Sequence, residues 1–185
     1  MIARLRAATA AQHQQLEQQA LFARLLRADL CLADYRAVLR CLYRVHAALE
    51  PALCAHLAAI NPPWRYVPRL PLLQQDLQSL ADALPDTPPR VPLTAAEVPG
   101  VLYVLEGSLL GGQLIARHLR QQFGPEIPQS FYRLGAQLPP QHWRHFAIWL
   151  AQQLPTAAAQ LCAEQAAQQT FTRFLAAADA DSRTS

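Results

Sequence analysis

The sequence predicts an all-α fold, and three observations carry that prediction. Ala, Leu and Gln dominate the chain, all of them good helix formers, while β-branched residues are scarce. No segment alternates apolar and polar residues with the period of two that a half-buried strand requires. Apolar residues recur instead at three- and four-residue spacings. At 185 residues the chain is most simply one domain, large enough to bury a core without staples. With 52% hydrophobic and 16% charged residues its composition is that of a globular protein, not a disordered one.

The elements follow in order. A first helix is expected over residues 2–26, with Leu5, Ala8, Leu16, Ala20 and Ala23 as its core stripe. A second covers residues 32–59, where Tyr35, Val38, Leu42, Val45 and Leu49 share a face and Pro51 should kink or restart it. Proline-rich connectors at 61–68 and 85–92 flank a short helix bearing Leu70, Leu73, Leu77, Leu80 and Leu84. Thr94-Ala95-Ala96-Glu97 has the form of a capping box, with Pro99 marking a helix start close behind it. That helix runs to about residue 122 and closes at Gly124-Pro125. Further helices follow Pro140 and Pro155, the last reaching about residue 178. The expected organisation is one helical domain over residues 1–178 and a flexible polar tail over 179–185, without internal repeats.

Composition excludes several functions. The net charge of +3 is too slight and scattered to argue for nucleic acid, so the arginines suit a local anionic small molecule better. Cys31, Cys41, Cys54 and Cys162 show neither CxxC spacing nor a disulfide framework, and fit buried thiols in a reducing compartment. The start of the chain lacks the apolar core of a signal peptide, and no stretch reaches the ~20 apolar residues of a membrane span. A cytoplasmic protein with no membrane partner is expected. No P-loop, GxSxG, HExxH or dinucleotide fingerprint appears.

Two segments carry chemistry. His13 has Glu17 four residues on and Arg6 seven back, a strip beside the apolar stripe of the first helix. A metal-bound imidazole needs its second ring nitrogen hydrogen-bonded, and Glu17 is placed for that. Arg6 could meet a carboxylate on the same ligand. A solvated polar face with a His–Glu pair fits the same pattern.

The second segment is Glu106-Gly107-Ser108-Leu109-Leu110-Gly111-Gly112, inside an otherwise apolar helix. Each helical glycine costs roughly 1 kcal/mol relative to Ala. Gly107, Gly111 and Gly112 put bare backbone at i, i+4 and i+5, a notch about one turn long, edged by Tyr103. Either close helix packing or a flat ligand pressed on the backbone accounts for it. Glu106 needs a partner or solvent in so apolar a stretch. A histidine on one helix and a glycine notch on another can hold a flat cofactor between them, iron on the imidazole and ring on bare backbone. His142 and His145 fit an amphipathic helix with Trp143, Phe146 and Trp149 better than they fit a metal pair.

These residues resemble the biliverdin-producing heme oxygenases, most closely the bacterial type found beside bacteriophytochromes. The run from Leu5 to Glu17, containing Gln12-His13-Gln14, is similar to the family's proximal helix. Tyr103-Val104-Leu105-Glu106-Gly107-Ser108-Leu109-Leu110-Gly111-Gly112, followed by Ile115-Ala116-Arg117, is similar to its distal helix. Phe131-Tyr132 with Trp143-Arg144-His145-Phe146 is a looser match, and the three come in the family's order.

The resemblance implies a single-domain heme-oxygenase-like helical bundle that opens heme to biliverdin, releasing iron and carbon monoxide. Heme is then both cofactor and substrate. It implies His13 as axial iron ligand and Glu17 as its hydrogen-bonding partner. Gly107, Ser108, Gly111 and Gly112 line the distal face, and Tyr103 is a pocket neighbour. Arg6 meets a propionate, Arg144 is the best match for a further propionate cation with Arg133 behind it, and Phe171 either walls the pocket or serves as core. Ser108 stands where the animal enzymes carry a water-organising Asp. Arg117 faces the electron donor or is plainly solvated. Implied partners are an external reductase or ferredoxin, and a bacteriophytochrome receiving biliverdin. Two rival readings use the same residues: a relative that stores heme without turnover, and a heme-free helical interaction protein.

Overall fold

Helix α3 (Leu32–Ile60) is the longest element of the computed structural model, which describes residues 1–182. Cys31 and Asp34 close a capping box at its start, each side chain accepting from the other's backbone N–H. Pro51 lies inside the helix without ending it, contrary to the expected break. Leu49, Glu50 and Leu53 are buried on either side of it, and that packing outweighs the hydrogen bond a proline cannot donate.

The first expected helix divides. α1 (Ile2–Gln18) is followed by α2 (Ala20–Ala23) and a 3₁₀ turn over Arg24–Leu26. Gln19 is extended, at φ −61° and ψ 130°, and its side chain accepts the Leu21 N–H at 2.6 Å, so the break begins a new helix. The buried stripe of α1 is narrower than expected: Leu5 and Thr9 are buried, Ala8 and Leu16 half-buried, and Ala20 and Ala23 exposed.

Then come α4 (Leu70–Ser79), α5 (Val98–Phe123), α6 (Ser130–Gln137), α7 (His142–Gln153) and α8 (Ala157–Ser182). Thr94 and Glu97 do pair, through two 2.7 Å bonds to the Glu97 carboxylate, in the turn that leads into α5. α6 is an addition to the expected elements. Its amino terminus is capped from α4, where the Asp76 carboxylate accepts Ser130 N–H at 2.8 Å and Phe131 N–H at 2.9 Å. α8 runs through Ser182 rather than stopping near residue 178, while positions 183–185 of the expected tail lie outside the described residues.

α8 is the wall that positions everything else, since α1, α3 and α5 all pack on it. Arg4 pairs with Glu164, and Gln168 donates to the Ala8 carbonyl at 2.7 Å, pinning α1 along its length. α5 crosses α8 at Gly100, where any Cβ would run into the Ala163 carbonyl. By length and composition α5 could cross a membrane, which corrects the expectation that no segment would qualify. Half of that stretch is buried inside the bundle, with Val101, Leu102, Leu105 and Leu119 in the core.

Candidate functional site

α5 presents a bare face to open space. A Cβ added to Gly107 or to Gly111 would meet nothing within 4 Å. Leu110 and Leu114 share that face at helical spacing and are 60% and 57% exposed, although Leu102, Leu105 and Leu119 of the same helix are buried. Two glycines with nothing against them, flanked by leucines held in water, lose free energy until something apolar covers them. Ser108 is exposed beside them, and its hydroxyl donates to the Leu105 carbonyl at 2.7 Å, leaving only acceptor lone pairs for a neighbour.

Gly112 departs from the distal-face expectation. It is buried, and a Cβ there would come within 2.9 Å of the Tyr132 carbonyl on α6. One residue on from Gly111 is about 100° around the helix, so its bare backbone serves the α5–α6 crossing. Gly135 of α6 makes the reciprocal contact with the Leu109 carbonyl, where a Cβ would sit at 2.8 Å.

The imidazole lies on α1, which touches both α5 and α8. His13 is 60% exposed on its side chain, with Nδ1 3.4 Å from the Glu17 carboxylate, loose for a hydrogen bond. Its ring meets the edge of the buried Phe171 of α8 at a centroid separation of 5.7 Å. Arg6, on the same helix, is exposed, as are Arg133 on α6 and Arg144 on α7, and among the described residues none of the three has an ion-pair partner. Tyr103 is half-buried one turn before Gly107. His13, Glu17 and Phe171 therefore meet at the α1–α8 contact, and the Gly107–Gly111 face lies on α5. The arginines reach into solvent.

Behind the bare face lies a charged network that the sequence did not reveal. Glu106 is fully buried and accepts from Arg69 Nη2 at 2.7 Å while pairing with His142 Nε2 at 2.6 Å. Arg69, itself buried, lies over the Tyr66 ring at 4.5 Å. The Glu50 carboxylate accepts Tyr66 O–H at 2.8 Å, Arg69 N–H at 2.7 Å and Leu70 N–H at 2.9 Å, with His46 Nδ1 3.0 Å away. Burial works against ionising Glu50, but the His46 hydrogen bond and charge and the two backbone N–H groups prevail, holding it down at about 2. Glu106 is likewise held below the ordinary carboxylate range: burial opposes, and the His142 hydrogen bond and Arg69 charge win. Sequence signalled only that Glu106 needs a partner; Arg69 and His142 lie 37 and 36 residues away.

A separate cavity of about 550 Å³ lies at the α3–α4 connection, bounded by Cys54, Asn61, Trp64, Arg65 and Tyr66 among others. None of the residues of the bare face or of the His13 cluster lines it.

An exposed imidazole on α1 and an uncovered glycine face on α5, both helices backed by α8, define an all-helical protein with one apolar face left open. The model of the heme oxygenase family matches residues 1–179. A heme oxygenase of Xanthomonas campestris pv. campestris is 36% identical over 151 residues, covering 80% of this chain and 91% of that protein. In fold, the chain is similar to the NO- and CO-bound heme oxygenase of Neisseria meningitidis, with a TM-score of 0.75, 22% identity, and 97% of this chain and 90% of that one covered. It is also similar to heme oxygenase-1 of the cyanobacterium Synechocystis in complex with heme, with a TM-score of 0.72, 17% identity, and 96% and 90% covered. The chain belongs to the heme oxygenase family. Its activity is the oxidative cleavage of heme to biliverdin with release of iron and carbon monoxide, heme being both substrate and cofactor. The residues present fit that group, because both glycines leave room for a ring and His13 offers an accessible nitrogen.

Proposed function

We propose that His13 would bind the iron of heme and that the Gly107–Gly111 face of α5 would lie against its ring. The open space at both glycines carries this reading, because nothing stands within 4 Å of where a Cβ would be on either. With Glu17 beside Nδ1, Nε2 would be the nitrogen offered to the iron. Phe171 braces the imidazole edge-on and limits its rotation. Arg6 and Arg144, free of ion-pair partners among the described residues, meet the propionates, with Arg133 as the reserve cation.

Bound heme supplies the iron that activates dioxygen and the porphyrin carbon that is attacked. The chain's own task is to seat the ring, exclude bulk water over the glycines and hold a proton source nearby. With its own proton donated to the Leu105 carbonyl, Ser108 Oγ accepts a hydrogen bond from water and orients that water's second proton toward the ring. Gly112 acts on the same surface indirectly, by letting α6 close behind it. Electrons come from outside, from a reductase or ferredoxin, a reading supported by the lack of any dinucleotide fingerprint in the sequence. Exposed Arg117 on α5 suits contact with an acidic donor. The same reading takes the reaction as cytoplasmic, with a bacteriophytochrome as one proposed destination for biliverdin.

Hemin titration of wild type and His13→Ala tests the ligand assignment. The variant is expected to lose the histidine-ligated absorption and electron paramagnetic resonance signature, and to regain both with added imidazole. An unchanged spectrum and product in the variant rule out His13 as the axial ligand.

A further inference from the structure

The cavity at the α3–α4 connection shares no residue with the bare face or the His13 cluster, and its walls are rigid. Asn61 turns the chain out of α3 in the left-handed region, at φ 42°. Pro62 and Pro63 follow, and each fixes its own φ, so the connector has little freedom to fold over the space. Trp64, only 6% exposed, lies edge-on to Phe146 and Trp149 at centroid separations of 5.1 and 5.4 Å. Tyr66 is fixed at both ends, its hydroxyl donating to Glu50 at 2.8 Å and its ring lying under the Arg69 guanidinium. These flat surfaces stand in place before anything binds.

The charge of the lining has one sign. Arg65 is exposed and has no ion-pair partner among the described residues. No Asp or Glu lines the cavity. The Cys54 thiol stays protonated and uncharged, because burial and then the Glu50 charge push it up. Trp64 Nε1–H has no acceptor, and Tyr66 has committed its own proton to Glu50. We infer that this cavity is a second ligand site, for a small planar aromatic molecule that bears one carboxylate. An aromatic ring matches the Trp64, Tyr66 and proline walls, and the carboxylate gives Arg65 the partner it lacks. The volume of about 550 Å³ falls within the roughly 300–1,000 Å³ of small-molecule sites. The inference goes beyond heme chemistry and stands whichever way the ring is seated.

The test titrates 2-naphthoate into the heme-loaded protein as its carbon monoxide complex, which keeps the heme site occupied. Calorimetry reads the affinity, and nuclear magnetic resonance reads the three tryptophan indole N–H signals, with Trp64→Phe assigning that of Trp64. One saturable site is expected, with a larger shift at Trp64 than at Trp143 and an unchanged Soret band. Arg65→Gln, a change at an exposed position, is expected to weaken 2-naphthoate at least roughly tenfold. The uncharged 2-naphthylmethanol should bind wild type more weakly than 2-naphthoate does, and should not distinguish the variant from wild type. Absence of saturable binding in wild type, or equal 2-naphthoate affinity in Arg65→Gln, overturns the inference. Binding that moves the Soret band and leaves the Trp64 signal in place also overturns it, since the probe then sits at the heme. Equal wild-type affinities for the two probes overturn the assignment of a carboxylate.

Discussion

Gly111 and Gly112 are neighbours in one helix, yet they lack side chains for opposite reasons. A Cβ on Gly111 would enter empty space, and one on Gly112 would strike the Tyr132 carbonyl. The same division runs along the whole of α5. Its open face carries two uncovered glycines and two exposed leucines, and its closed face carries Glu106 in a fully buried ion pair with Arg69. The bare face is left unfinished, and the face beside it is tied down by charge. A surface that must wait for its ligand needs a rigid backing, because a ligand cannot both bind and hold the helix in place.

The contrast is broken most severely from the closed side. Glu106→Ala strands the Arg69 guanidinium in the core without its carboxylate, and is expected to cost about 3–5 kcal/mol of unfolding free energy. Urea unfolding of the apoprotein measures it. His13→Ala on the open side should change the same quantity by less than about 0.5 kcal/mol, because that ring is largely in solvent. Equal losses in the two variants would mean that the faces are not distinct.

Acid probes the closed face next. The carboxyl of Glu50 lies near 2 in the fold, against an ordinary 4.5. A folded-state value below the unfolded one stabilises the fold above pH ~4.5, and the benefit is lost as pH falls from there through about 2. The contribution is on the order of 3 kcal/mol, and Glu106 adds in the same direction. Unfolding free energy should therefore drop steeply over that window in wild type, and less steeply in Glu50→Gln.

The glycine pair gives the sharpest comparison of sign. Gly112→Ala pushes a methyl against backbone that cannot swing aside, and should destabilise the apoprotein by about 1–2 kcal/mol after the helical gain of alanine is deducted. Gly111→Ala meets no neighbour and should stabilise the apoprotein by roughly 0.5–1 kcal/mol while weakening hemin binding. Thermal unfolding and hemin titration read the two effects separately. The smallest change is expected at Leu110→Ala, within about 0.5 kcal/mol in the apoprotein.

Much of this was legible in the residues. Helix positions followed from periodicity, and the family resemblance from the proximal and distal segments. Local chemistry misled in two places. Pro51 was expected to interrupt α3, yet the buried side chains around it carry the helix through. Gln19 gave no warning that it would end α1, because a glutamine acting as an amino-terminal cap has no distinctive pattern. Among the site residues, sequence grouped Gly107, Gly111 and Gly112 as one notch.

The chain by itself determined the helical class, the bare backbone on α5, the imidazole on α1 and the demand that Glu106 be paired. Those are properties of spacing and of residue chemistry, which act over one or two helical turns. Only the tertiary structure decided which glycine faces open space and which faces α6, and that Arg69 and His142 answer Glu106. Those outcomes depend on what stands on the far side of an interface, and residues more than 30 positions apart carry no local signal of meeting there.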